Sequence, residues 1–530
     1  MSSETATSSR SGSGRSASQT RAALLWLPLV AVTVAAVVAA QAGALPRWPG
    51  LVQAVAVPPL DLFFDLRVLV ARATSYPIFA LGVVVSVVVR SAVLAALVGA
   101  VGGSGSLLSL WRRCIRWYGW AVVPVGIAAA LQYAGLAAVY AWYWWTGFVL
   151  LLLVVPFFLG SVAGASGRTL GGRFRLGATV ATLVAYGSLG ALARAVGPGA
   201  TVVLVPVSAA VTAVLLLWMG GRLRIPRRKA PVGVAAGIVL LGLVSPPAVS
   251  PGPASGDAVL FLVPGVDTSS GSGSLYGLDP EEIGFPCDRV YYYSYRGPGR
   301  GADRADAVCP IRIHAPYTKQ ETQRSLDRLT EAFVEQLGAI REASGGAAVV
   351  VVTHSQGAVI AWRAASVGGA EGISHLVALA GFPRTSAPYP PPGEEGEGLV
   401  GGDMLRFLSA ATRRFTDGTF DPDAPLAREV LAPAGGLDRI FAQGLPPEVT
   451  AAIVFATLDE AVAPLGHRAP GAASGGTVDT THTGITESED AYDAVRRVLE
   501  GLPPPGAGSI ASVLRSVLPG WGPPPNAPTG

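Results

Sequence analysis

Acidic residues are missing from a long stretch of this chain: none occurs between Leu66 and Gly256. Charged residues make up 14% of 530 residues, against about 25% in ordinary globular domains. Without carboxylates, the apolar runs of that half lack the acid relay a proton-coupled carrier needs. Arg90 and Arg194 are the only charges within those runs, with Gln132 as an uncharged polar residue. Cysteine is confined to Cys114, Cys287 and Cys309. No His/Cys cluster has ligand spacing, so neither a metal nor any other cofactor is implied. Lysine occurs only at Lys229 and Lys319, against 37 arginines. With the heavy Ala, Gly, Val and Pro load, this is the composition of a high-GC bacterium.

Apolar residues are plentiful, at 50% of the chain, with a mean hydropathy of +0.46. They concentrate before residue 250. Runs near the ~20 residues needed to cross a bilayer fall at 22–45, 76–100, 118–140, 143–165, 176–197, 199–220 and 231–249. The expectation is an all-α transmembrane bundle of about seven helices, with six as the alternative count. The first run also resembles a signal peptide, but it is longer than a usual h-region and is read as retained.

With the N-terminus in the cytoplasm, three loops lie inside, carrying Arg112, Arg113 and Arg116; Arg168, Arg173 and Arg175; and Arg222 to Lys229. This satisfies the positive-inside rule and puts the C-terminal part outside the plasma membrane. The segment 46–75 is the exception; its Pro59–Leu66 stretch is expected along the interface. Residues 1–256 hold 19 basic and 3 acidic residues, and the remainder holds 20 and 32. The pI of 9.0 therefore reflects membrane loops and gives no support for nucleic-acid binding.

The most informative segment is Val349-Val350-Val351-Val352-Thr353-His354-Ser355-Gln356-Gly357. A β-branched run ends in a small-residue turn and a helix-like stretch follows. Such a turn lifts a serine hydroxyl above a sheet edge, and Gly357 leaves room for strand and helix to cross. Thr353 stands where the motif usually has glycine. Upstream, Ala258–Val263 reads as a strand opening into Pro264-Gly265-Val266-Asp267. Downstream, Thr450–Thr457 reads as a buried strand ending at Asp459, and Thr481-His482-Thr483 precedes a helix.

In this order, residues 257–501 resemble the α/β-hydrolase family, nearer its lipase/esterase members. The resemblance implies an α/β fold, mainly a parallel sheet with helices on both faces, beginning at the equivalent of the third family strand. It implies Ser355 as nucleophile, His482 as base and Asp459 as orienting acid, with N–H groups near Val266 and at Gln356 as the oxyanion hole. His467 competes as base, and Glu460 and Asp479 as acid. His314 and His375 lie in the wrong places, and His354 is read as a local packing residue.

The remaining organisation is a disordered tail (1–21), the membrane domain (22–249), a linker (250–256) and a Pro/Gly-rich tail (502–530). Residues 383–447 are expected to form a lid-like insertion over the site, with a mobile Pro388–Gly396 stretch. The expected substrate is a lipid or other acyl ester, beside membrane lipids. An acyltransferase with the same triad and a non-catalytic membrane scaffold are the alternatives; no feature names a protein partner. An oxidising outer compartment would favour a Cys287–Cys309 disulfide, worth about 3 kcal/mol by loop closure. Mass spectrometry of unreduced protein should yield the crosslinked peptide. Two freely alkylated thiols would argue against the outside placement.

Overall fold

The computed structural model describes residues 13–102, 105–138, 141–165, 171–220, 256–369, 371–381, 387–457, 459, 474–506 and 521. The run expected at 231–249, nearly all of the linker and most of the C-terminal tail lie outside these residues.

The first half is helical: α1 (Ser13–Gln41), α2 (Leu60–Arg72), α3 (Tyr76–Val101), α4 (Leu107–Ala138), α5 (Ala141–Ala165), α6 (Gly172–Thr201) and α7 (Leu204–Met219). Helix α1 starts inside the 1–21 stretch expected to lack structure. Among the described residues three helices, not seven, are long and apolar enough to cross a membrane: Tyr76–Val101, Leu107–Gly135 and Arg175–Thr201. The runs at 22–45, 143–165 and 199–220 instead contain the shorter apolar helices Leu25–Gln41, Leu150–Ala165 and Leu204–Met219.

The burial pattern of this half is inverted. Val84 and Val88 of α3, Trp120 and Val123 of α4, and Leu153 and Phe157 of α5 are exposed. Gln53, Asp61, Arg67, Arg90 and Gln132 are buried. Soluble proteins do the reverse; a hydrocarbon surround favours this arrangement.

Helix α2 supplies most of the buried charge. Its two carboxylates suggested an interfacial position, yet Pro59–Phe64 is buried among the other helices. Asp65 accepts from Arg90 Nη2 at 2.5 Å and Nε at 2.7 Å, and Arg90 Nη1 donates to the Ala54 carbonyl at 2.6 Å. The Tyr118 hydroxyl donates to Asp61 at 2.6 Å. Arg67 donates to Gln53 and lies over the rings of Trp48 and Phe63. The carboxylates absent from the apolar runs thus arrive from the segment between two of them, already partnered.

The second half contains β1 (Val259–Val263), β2 (Val290–Tyr292), β3 (Val349–His354), β4 (Ile373–Leu379), β5 (Thr450–Ala456) and β6 (Ser474–Val478). All pair in parallel, in the order β2-β1-β3-β4-β5-β6. Its helices are α8 (Leu326–Ala343), α9 (Gly357–Ser366), α10 (Leu399–Phe415), α11 (Pro425–Val430), α12 (Gly436–Phe441) and α13 (Glu489–Leu499). A parallel sheet must be covered on both faces. Phe261, Val351 and Ile453 pack with Phe333 of α8 and Val359 of α9. Leu262, Val352 and Val454 point the other way, onto Val495 and Val498 of α13. The architecture is α/β, and Cys287 and Cys309 are disulfide-bonded.

Between β4 and β5 the chain leaves the sheet. The Pro388–Gly396 stretch, expected to be mobile, is pinned. The Tyr133 hydroxyl of α4 donates to the Pro388 carbonyl at 2.6 Å, and Gly396 N–H donates to Thr74 at 2.9 Å. Tyr389 is buried, and its hydroxyl donates to Pro422 at 2.6 Å. Arg72 pairs with Glu397 at 3.2 Å, and the Tyr76 hydroxyl donates to Asp403 at 2.5 Å. One apolar core runs from the helical half through Tyr389 and Leu405 to the sheet.

Removing one member of a buried ion pair strands the other charge, at roughly 3–5 kcal/mol. Asp65→Ala should therefore lower the melting midpoint in detergent far more than the joint change Asp65→Leu with Arg90→Met. Equal melting curves for the two variants would show that the pair's burial does not matter to stability.

Candidate active site

The site forms where β3 turns into α9. Ser355 follows the last residue of β3 with φ 54°, a left-handed conformation rare for a residue with a Cβ. Its N–H donates to the Leu379 carbonyl at 3.0 Å, so the strained residue is anchored to the next strand. A Cβ on Gly357 would overlap the Val263 carbonyl oxygen, so only glycine lets α9 cross β1 this closely. Ser355 is buried, at 7% exposure.

Asp459 lies three residues beyond β5 and His482 in the turn before α13. They meet despite their separation in sequence: His482 Nδ1 lies 3.0 and 3.1 Å from the two Asp459 carboxylate oxygens. The Nδ1–H donates there, which leaves Nε2 as the basic nitrogen of the ring. Both side chains are buried.

His354 links this pair to the turn. Its ring packs 4.7 Å from the His482 ring, and its Nε2–H donates to the His482 carbonyl at 2.9 Å. The Ser274 hydroxyl lies 3.3 Å from Nδ1 and donates to it. Burial pushes the His354 imidazole down to about 3, assisted by the neighbouring His482. His354 is therefore neutral across the physiological range and holds the loop that carries His482.

The expected oxyanion residues come together as well. Val266 and Gln356 line one small cavity of about 20 Å³, room for about one water molecule. A Cβ on Gly265 would sit 3.0 Å from the Ser355 Cβ, so this loop backs directly onto the serine. The Tyr295 hydroxyl holds the loop by donating to Pro264 at 2.7 Å and Gly265 at 3.1 Å. The Gln356 side chain turns away and donates to the Thr322 carbonyl at 2.7 Å. Gln323 and Val359 of α9 add to the wall, and the insertion supplies the rest with Phe420, Leu426, Val430 and neighbours.

The other titratable candidates separate. His314 is fully buried, hydrogen-bonded to Ser270 and the Tyr292 carbonyl, and pushed down to about 4 by that burial. His375 bonds to Ser374 on β4. His467 and Glu460 lie outside the described residues. The clasp between loop and insertion has no signal in the sequence. Asp267, also at positive φ (63°), accepts from Thr419 N–H at 2.8 Å and its hydroxyl at 2.6 Å. The partners are 152 residues apart.

No family model and no curated protein matches the chain. Among solved structures, a serine hydrolase from the polyaromatic-hydrocarbon-degrading bacterium Cycloclasticus zankles is similar at 12% identity and a TM-score of 0.27. That match covers 46% of this chain and 90% of the other. The functional reading therefore rests on the site's own geometry.

A histidine held neutral in the fold stabilises it only while the unfolded chain is also neutral. Stability from His354 and His314 is present above their ordinary value of 6.5 and is lost as pH falls toward their folded values of about 3 and 4. The melting midpoint should fall between about pH 6.5 and 4.5, and His354→Gln should flatten part of that fall. A midpoint independent of pH across this interval would contradict the neutral assignment.

Proposed function

We propose that the chain is a membrane-anchored serine hydrolase that cleaves an ester or thioester of a lipid-like envelope substrate. The observation that carries this reading is Ser355 at a strained strand-to-helix turn whose preceding residue, His354, contacts the His482 of a buried His482–Asp459 pair. The parallel sheet suits the α/β-hydrolase family that the sequence resembles. The three long apolar helices support a membrane anchor, and the Cys287–Cys309 disulfide favours an extracytoplasmic sheet domain.

In this mechanism Ser355 Oγ attacks the substrate carbonyl carbon as His482 Nε2 takes its proton. Asp459 keeps the tautomer and stabilises the imidazolium. The N–H groups of Val266 and Gln356 donate to the oxygen that gains charge. Collapse breaks the C–O or C–S bond, and the leaving group takes the proton from His482. Water then attacks the acyl-enzyme with His482 again as base, releasing the acid and restoring Ser355.

A fluorophosphonate probe applied to membranes carrying the full chain tests the reading. Wild type should label covalently and Ser355→Ala should not. Ester turnover should fall on the order of 10⁴–10⁶-fold in Ser355→Ala and in His482→Ala. Folded wild type that stays unlabelled where a control hydrolase reacts would sink the proposal.

A further inference from the structure

Two spaces share one residue, Phe420. The small cavity at Val266 and Gln356 has Phe420 in its wall. A groove of about 490 Å³, lined by Leu405, Leu408, Ala411 and Phe415 of α10 and by Asp267, has Phe420 in its wall as well. That volume falls within the ~300–1,000 Å³ of small-molecule sites. Among the described residues, Phe420 alone lines both spaces.

The backbone around Phe420 is fixed. Its carbonyl accepts from the Ser409 hydroxyl and from Arg413 at 2.9 Å. Thr419 before it is held by Asp267 and by Gln323 Nε2 at 2.8 Å, and Asp421 after it by Gln323 Oε1 at 2.6 Å. Motion at this point therefore belongs to the ring, which turns about χ1 without moving the chain.

The groove's chemistry selects its occupant. The hydroxyls of Ser409, Thr412 and Thr416 all donate to backbone carbonyls, and Asp417 pairs with Lys319 at 2.7 Å. Asp267 spends one carboxylate oxygen on Thr419. The hydroxyls a sugar or peptide would need are thus already engaged, and the surface presented is mainly hydrocarbon. Helix α10 also packs on α2 and α4, and Phe407 and Phe415 are 68% and 82% exposed beside Arg413 and Arg414. Apolar rings next to cations suit the surface of an anionic bilayer.

Resting on the hydrolase reading, we propose that Phe420 is a chain-length gate. With the ring in place, the small cavity admits only a short acyl group. With the ring turned aside, cavity and groove join, and a linear aliphatic acyl chain lies along α10 with its carbonyl carbon at Ser355.

The test uses the full chain in nanodiscs and compares labelling rates with ethyl and dodecyl fluorophosphonates. Phe420→Ala should raise the dodecyl-to-ethyl ratio about tenfold, and Phe420→Trp should lower it by a similar factor. Phe420→Leu serves if the alanine variant does not fold. Rates that change equally for both probes overturn the gate and leave the hydrolase reading standing. Wild type that neither probe labels overturns the hydrolase reading, and the gate falls with it.

Discussion

The candidate site depends on the crossing of α9 over β1 at Gly357. The closeness of that crossing forces the chain to reverse within one residue, and Ser355 takes the left-handed backbone that results. The strain is tolerated because strand and helix are both fully packed and the Ser355 N–H is paired with β4. The same reversal points His354 at the turn before α13, so one elbow orients the serine and steadies the loop of His482. A geometry of this kind cannot come from loops alone. It needs rigid elements on either side of the bend.

The helical half imposes a second constraint. Its exterior is hydrocarbon and its interior holds the charges, so α2 must enter with every charge matched. Asp65 with Arg90, Asp61 with Tyr118, and Arg67 with Gln53 and two aromatic rings meet that demand. Once α2 is buried, the chain emerging at Thr74 and Tyr76 lies where the insertion docks. The same charge pairing thus fixes the floor on which the insertion rests.

The local part of this arrangement was legible in the sequence. The valine run of β3, the serine turn, the strand before Asp459 and the position of His482 are short-range patterns. The parallel α/β sheet was implied by the family resemblance that these patterns carry. Long-range pairings left no such trace: nothing near Asp267 signals Thr419, and nothing near Arg90 signals Asp65. Helix α2 was misplaced because two carboxylates and two arginines in one short helix resemble a surface. The count of spans failed for a related reason. Hydropathy sums apolar residues along the chain, so every run near 20 residues was read as a crossing, whereas three helices among the described residues are long and apolar enough. The Pro-rich stretch at 388–396 looked mobile because its partners, Tyr133 and Thr74, are remote in sequence.

Helix α10 is held at both ends. Its start is tied to α3 through Asp403 and Tyr76, and the turn beyond its end is tied to the sheet domain through Thr419 and Asp267. Its 17 residues make a strut about 25 Å long. A stiff strut fastened at two points behaves as a lever. A tilt of α3 or α4 relative to the sheet must either bend α10 or be delivered to residues 417–421. Displacement in the helical half is thereby passed to the wall of the cavity through backbone, with no ligand needed to carry it.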